Sequence, residues 1–97
     1  MADVQVTDNP GESRFEARVG GELAGFAAYE TAEGLIAFTH TEVFVAFEGQ
    51  GVGSALARGA LDEVRAEGSR KVLPRCPFIR GWIDKHPDYQ DLVDGSF

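Results

Sequence analysis

Apolar and polar residues alternate through the first half of the chain. Val4 and Val6 alternate with polar neighbours, and Asn9-Pro10-Gly11 marks a turn. From Ser13 to Val19, residues Phe15, Ala17 and Val19 take one face, with Arg14, Glu16 and Arg18 on the other. A period of two predicts a half-buried strand. Gly20-Gly21 suits a two-residue hairpin, because both central positions of a type I′ turn need positive φ. Glu22 to Glu30 reads as a third strand, Thr31 to Gly34 as a second hairpin connection, and Leu35 to Val45 as a long fourth strand. In that strand Ile36, Phe38, His40, Glu42 and Phe44 share one face. Leu35, Ala37, Thr39, Thr41, Val43 and Val45 share the other. Strands joined by such short turns are antiparallel neighbours.

The second half changes period. From Val52 the apolar residues Leu56, Ala60, Leu61 and Val64 fall at helical spacing, and Gly68 stands where a helix ends. Lys71 to Leu73 is a short apolar strand stopped by Pro74. Cys76-Pro77 opens a second helix, with proline at its first position and Phe78, Ile79, Trp82 and Ile83 as its inward face. Pro87 ends it, and a last helical segment, Asp88 to Val93, offers Tyr89, Leu92 and Val93 for burial. Strand four, helix and strand five make a βαβ unit with parallel strands. The expected fold class is α+β: a mostly antiparallel sheet of about five strands with a C-terminal βαβ unit and helices. Residues 1–97 read as one small domain.

Composition narrows the field. Apolar residues make up 43% and charged ones 26%, which fits a soluble globular chain and sets disorder aside. No apolar run approaches the roughly 18 residues of a membrane span, and MADVQVTDNP lacks the pattern of a signal peptide, so no membrane partner is expected. The lone Cys76 has no internal disulfide partner, which points to a reducing cytoplasm. The net charge of −7 argues against a nucleic-acid partner. Charge is uneven: residues 1–57 hold two arginines against nine acids, and residues 58–85 hold seven basic residues against four acids. An acidic body with one basic segment suits a compact anionic ligand and a cationic second substrate.

The candidate chemistry sits at FEGQGVGSALARGALDEV, residues 47–64. Gly49, Gly51 and Gly53 precede or open a helix whose first turn has no acid, whereas Asp62, Glu63 and Glu67 come late. A helix start presents unpaired N–H groups and partial positive charge, ordinarily met by an acid or a hydroxyl cap. Glycines there let a phosphate sit directly on the amides. A Walker loop is excluded, since no Lys-Ser or Lys-Thr follows. The dinucleotide pattern fails because its third glycine would be Ser54.

Antiparallel strands, a G-x-G-x-G loop opening a helix, and then a parallel strand resemble the GNAT superfamily of N-acetyltransferases. Their pyrophosphate loop reads Gln/Arg-x-x-Gly-x-Gly/Ala, and Glu48-Gly49-Gln50-Gly51-Val52-Gly53 fits it except at the first position. With KVLPRCPFIRGWIDKHPDYQDLV, the likeness covers residues 13 to 93 and is to the small, single-domain members.

The resemblance implies acetyl-CoA as co-substrate, no metal, and transfer of an acetyl group to a primary amine of a small molecule or peptide. Strands four and five would part to admit the pantetheine arm. Thr41, Glu42, Val43 and Phe44 would supply strand-four backbone, and Gly49, Gln50, Gly51, Val52, Gly53 and Ser54 the pyrophosphate amides. Charge adds Arg58, Arg80 and Lys85 as candidates for the 3′-phosphate. Glu42 or His40 is the candidate general base. Cys76, at a helix start beside Arg75, has three readings: an acyl-accepting nucleophile, a thiol that pairs with CoA, or a small buried residue. Tyr89 is expected to pack with its hydroxyl hydrogen-bonded. Glu48 and the lack of a tyrosine on the helix after strand five suggest the alternative of a module that binds CoA or acyl-CoA without turnover.

Overall fold

The structure, a computed structural model, describes residues 3–95. Its sheet contains β1 (Val4–Asn9), β2 (Arg14–Val19), β3 (Glu22–Ala32), β4 (Leu35–Val43) and β5 (Lys71–Pro74), ordered β1-β2-β3-β4-β5. Neighbours are antiparallel except β4 and β5, which are parallel. Between them runs α1 (Val52–Glu67), and α2 (Pro77–Asp84) follows β5. Short 3-10 turns cover Pro10–Glu12, Val45–Phe47 and Pro87–Leu92. This is the α+β arrangement expected from the pattern.

Local chemistry explains the joints. Gly20 and Gly21 take φ of +59° and +84° at the first hairpin. The second hairpin is tighter than its sequence suggests: Ala32 pairs with Leu35, so β3 runs two residues past Glu30 and the turn narrows to Glu33-Gly34. Gly68, at φ +80°, closes α1 by donating its N–H to the Val64 carbonyl.

The apolar stripe of α1, with Leu56, Ala57, Ala60, Leu61 and Val64 buried, packs with Phe15, Ala17, Ile36 and Phe38 of the sheet. Gly59 has a specific reason to lack a side chain: a Cβ there would lie 2.8 Å from Cβ of Val6, so the helix rests directly on β1. Helix α2 adds Ile79, Trp82 and Ile83 to the same core. Phe78, expected to face inward with them, is instead 45% exposed. At 100° per residue it falls just outside the arc that Trp82, Ile79 and Ile83 span, and its ring lies against Gly53 instead. Because both helices share one core cluster, the other face of the sheet carries no helix among the described residues.

On that open face Glu16 is nonetheless buried, ringed by Arg14 Nε at 2.8 Å, Arg18 Nη1 at 2.9 Å and Asn9 Nδ2 at 3.1 Å. Hydrogen bonds from Arg14, then Arg18, bring its pKa down to about 2. A depressed folded-state pKa means the charged form stabilises the fold. That contribution is complete above the usual carboxylate range and is lost as pH falls from about 4.5 through about 2. Glu16→Gln should therefore cost on the order of 1–2 kcal/mol at neutral pH and flatten the acid limb of the stability curve, as read by urea melts between pH 2 and 7. A variant whose acid limb matched wild type would refute this assignment.

Strand pairing departs from strict alternation at two points. One lies between Ala17 and Arg18, opposite β3, and the other opposite β4, where Tyr29 pairs with Phe38 but Ala28 pairs with His40. The second leaves Thr39 as an extra residue on β4. Such a bulge moves every following side chain to the opposite face. It sets the geometry of the candidate site.

Candidate active site

Strands β4 and β5 pair over four residues, from Leu35↔Lys71 to Phe38↔Pro74. The Cys76 N–H then donates to the Phe38 carbonyl at 2.8 Å, and the chain turns into α2. Beyond this vertex β4 continues to Val43 with no strand paired on its β5 side among the described residues, so the two strands part as a wedge.

The bulge decides which groups face the wedge. Phe44 N–H donates to Ala24 O at 2.8 Å, toward β3. By strand alternation Glu42 points its backbone the same way, whereas Thr41 and Val43 point theirs into the wedge. Of the four expected backbone contributors, Thr41 and Val43 thus have amides free to serve, while those of Glu42 and Phe44 are turned to β3. The strand also ends at Val43 rather than Val45, because the chain leaves the sheet in a 3-10 turn that exposes Val45.

Side chains follow the same rule. Ile36 and Phe38 face the core, but past Thr39 the core side belongs to Thr41 and Val43, which oppose Ala27 and Gly25. His40, Glu42 and Phe44, expected to share a face with Ile36 and Phe38, lie on the open face, where the Phe26 ring meets those of His40 and Phe44. His40 Nε2 approaches Glu42 Oε1 to 3.3 Å, with side chains 62% and 50% exposed. The two base candidates therefore stand together, beside the wedge and in contact with water. On the core side Cys76 is buried with its Sγ 3.3 Å from Thr41 Oγ1. Arg75, its expected electrostatic neighbour, lines a separate cavity with Leu35, Ala37 and Leu73.

The glycine loop closes the wide end of the wedge. Gly49 and Gly51 take φ of +82° and +77°, and Gly51 is the N-cap of α1 with no side-chain cap and no acid in the first turn. Its carbonyl accepts Ala55 N–H at 3.0 Å, which leaves the preceding amides of Val52, Gly53 and Ser54 without helical partners. Gly53 admits the Phe78 ring: a Cβ there would lie 2.9 Å from Cζ. Loop, Val43, Phe47, Phe78 and Trp82 line an open cavity of about 390 Å³ whose surface is mainly apolar. Of the two exposed residues flanking Gly49, Glu48 lines it as well and Gln50 does not.

Further along, Trp82 Nε1 donates to Ser54 Oγ at 3.0 Å, a link that sequence periodicity alone cannot reveal. Arg58, one turn after Ser54, lies over the Trp82 ring at 5.3 Å and donates to Tyr89 OH at 3.3 Å. The Tyr89 hydroxyl donates to Asp62 at 2.7 Å, and that bond to the carboxylate, with burial, raises its pKa. Its proton is committed inside the fold. Arg80 is not brought to the loop: it lines another cavity of about 370 Å³ with Pro74, Ile83 and Asp84, across α2 from Phe78 and Trp82.

Comparison with known proteins agrees with this geometry. A family model described as GCN5-related N-acetyl-transferase matches residues 14–92. The chain belongs to that family. Among solved structures it is similar to the ribosomal-protein-alanine N-acetyltransferase from Brucella melitensis biovar Abortus 2308, at 22% identity and a TM-score of 0.58. The match covers 84% of this chain and 61% of that one, so this chain spans about six tenths of its length, and the likeness is one of fold. No curated protein matches the chain.

Proposed function

We propose that the chain is an acetyl-CoA-dependent N-acetyltransferase acting on a primary amine, with residues 1–97 as one minimal catalytic domain. The observation that carries this reading is the adjacency of two features: a wedge between β4 and β5, and a helix start with neither cap nor acid at its open end. The residues suit such a ligand, since positive-φ glycines and partnerless amides form a cradle for a diphosphate and an apolar wall lies beside it.

In this reading the amides of Gly51 to Ser54 receive the diphosphate, and Phe47 and Phe78 shield the arm that runs from it into the wedge. The amides of Thr41 and Val43 hold that arm and offer a donor to the carbonyl. Acetyl-CoA supplies an acyl thioester. Glu42 and His40, as a contacting pair on the open face, take the proton of an incoming ammonium through a water. The acceptor thus enters from the open face and the cofactor from the helix face. Cys76 and Thr41 line the vertex. The basic residue adjoining the cradle is Arg58, by way of Trp82, which favours it over Arg80 near the 3′-phosphate.

One observation favours the alternative, a CoA-binding module without turnover: the Tyr89 hydroxyl is engaged by Asp62, so it offers no proton to a leaving thiolate. Incubating the protein with acetyl-CoA and a panel of amines, with free thiol as readout, separates the two. Amine-dependent thiol release supports transfer; tight CoA binding without release supports the module.

Glu48 provides a graded check. Glu48 is exposed and lines the cavity, so Glu48→Arg should tighten CoA binding about three- to tenfold at low salt, with the gain shrinking as salt rises. Calorimetry at two ionic strengths reads this, and equal affinity for both proteins at low salt would refute it.

A further inference from the structure

We infer that Trp82 is a positioning residue for the diphosphate cradle, aiming the Ser54 hydroxyl into it through the indole N–H. This rests on the reading of the loop given above.

A serine hydroxyl has one proton to give and lone pairs with which to accept. The Trp82 Nε1–H occupies an acceptor site on Ser54 Oγ at 3.0 Å, and the indole has no acceptor to offer in return. The Ser54 proton is therefore turned away from the ring. Ser54 is exposed and lines the cavity between the loop and Phe78, so the hydroxyl is free to donate there beside its own backbone amide. A hydroxyl that already accepts a hydrogen bond is also polarised into a better donor.

The indole is itself held fast. His86 stacks on it at 3.8 Å and 13°, and its Nδ1–H donates to the Trp82 carbonyl at 2.7 Å. Tyr89 meets the ring edge-on at 5.0 Å, and the Arg58 guanidinium covers it at 5.3 Å. A buried indole N–H needs a partner, and a main-chain carbonyl is the common answer. Here the partner is a hydroxyl in the first turn of the helix whose amides form the cradle, which ties α2 to the ligand end of α1.

Calorimetry with CoA on wild type, Ser54→Ala, Trp82→Phe and the double variant tests this. Ser54→Ala should weaken binding about tenfold, the loss of one hydrogen bond to a charged group. Trp82→Phe keeps the ring and loses the N–H. It should weaken binding about fivefold in the wild-type background and less than about twofold in the Ser54→Ala background. A purely structural role would cost the same in both backgrounds, and that result overturns the inference, as does unchanged affinity in Trp82→Phe. Should Trp82→Phe fail to fold, the chain's single tryptophan gives one indole N–H resonance to follow. On CoA saturation it should shift in wild type and stay still in Ser54→Ala. An indole peak unmoved in wild type overturns the inference. Failure of wild type itself to bind CoA removes the loop reading and this inference with it, an outcome distinct from binding with additive variants.

Discussion

Gly51→Glu is expected to lower CoA affinity by at least about a hundredfold while leaving a folded protein. Like charges about 4 Å apart near a protein surface repel by on the order of 4 kcal/mol before salt screening, and each 1.4 kcal/mol is tenfold. The added carboxylate would stand among the amides of the cradle, at the cap of α1. The protein has room for it, since a Cβ on Gly51 meets nothing within 4 Å. Its φ of +77° adds strain of roughly 1–2 kcal/mol, within what a small domain tolerates. Gly51→Asn separates strain from charge, because asparagine accepts the same backbone region and carries no charge. Calorimetry should find the asparagine variant within about tenfold of wild type. If both variants lose affinity alike, charge is not what the cradle excludes. If neither loses affinity, no phosphate lies there.

Much of this site was legible because its signals are local. Gly51 and Gly53 at a helix start, the missing first-turn acid and the late Asp62 and Glu63 all lie within one stretch of chain, and the structure starts α1 there with no side-chain cap. The hairpin at Gly20-Gly21 and the proline-led start of α2 were equally open to reading, since each depends on the conformation of one or two residues.

What stayed hidden depends on partners distant in sequence. The bulge at Thr39 is a property of β3 and β4 together, and strict alternation along β4 cannot register it. It is why His40 and Glu42, read as sharing a face with Ile36 and Phe38, stand on the opposite one. The end of β4 was hidden as well: Val45 continues the apolar alternation and β3 still offers Leu23 at the matching register, but the chain leaves the sheet there in a 3-10 turn. The bond from Trp82 to Ser54 joins residues 28 apart, and no periodicity encodes it. Arg80 was chosen on charge, which says nothing of which side of α2 it occupies.

Gly25 shows the same limit and gives the largest expected effect on stability. It reads as one more residue of a strand, where glycine is ordinarily a weakness. In the structure it pairs with Val43, and a Cβ there would collide with the Glu42 carbonyl oxygen and lie 3.2 Å from Val43 Cα. Both obstacles are backbone, so no rotamer change relieves them. Gly25→Ala must push the end of β4 away from β3, against the Phe44 to Ala24 bond that fixes it. Overpacking of this kind costs about 3 kcal/mol, or a fall in Tm of roughly 12–20 °C for a domain of this size. The displaced residues carry the Val43 amide, so CoA affinity of the surviving folded protein should drop too. Gly81→Ala is the counterpart: Gly81 lies inside α2 with nothing within 4 Å of an added Cβ, and alanine there should stabilise by up to about 1 kcal/mol. The same substitution is thus expected to act with opposite sign at two glycines, as calorimetric melts of both variants would register. A Gly25→Ala protein melting within a degree or two of wild type would mean that β3 and β4 do not approach so closely at Val43. The wedge assigned to the amides of Thr41 and Val43 would then have to be rebuilt.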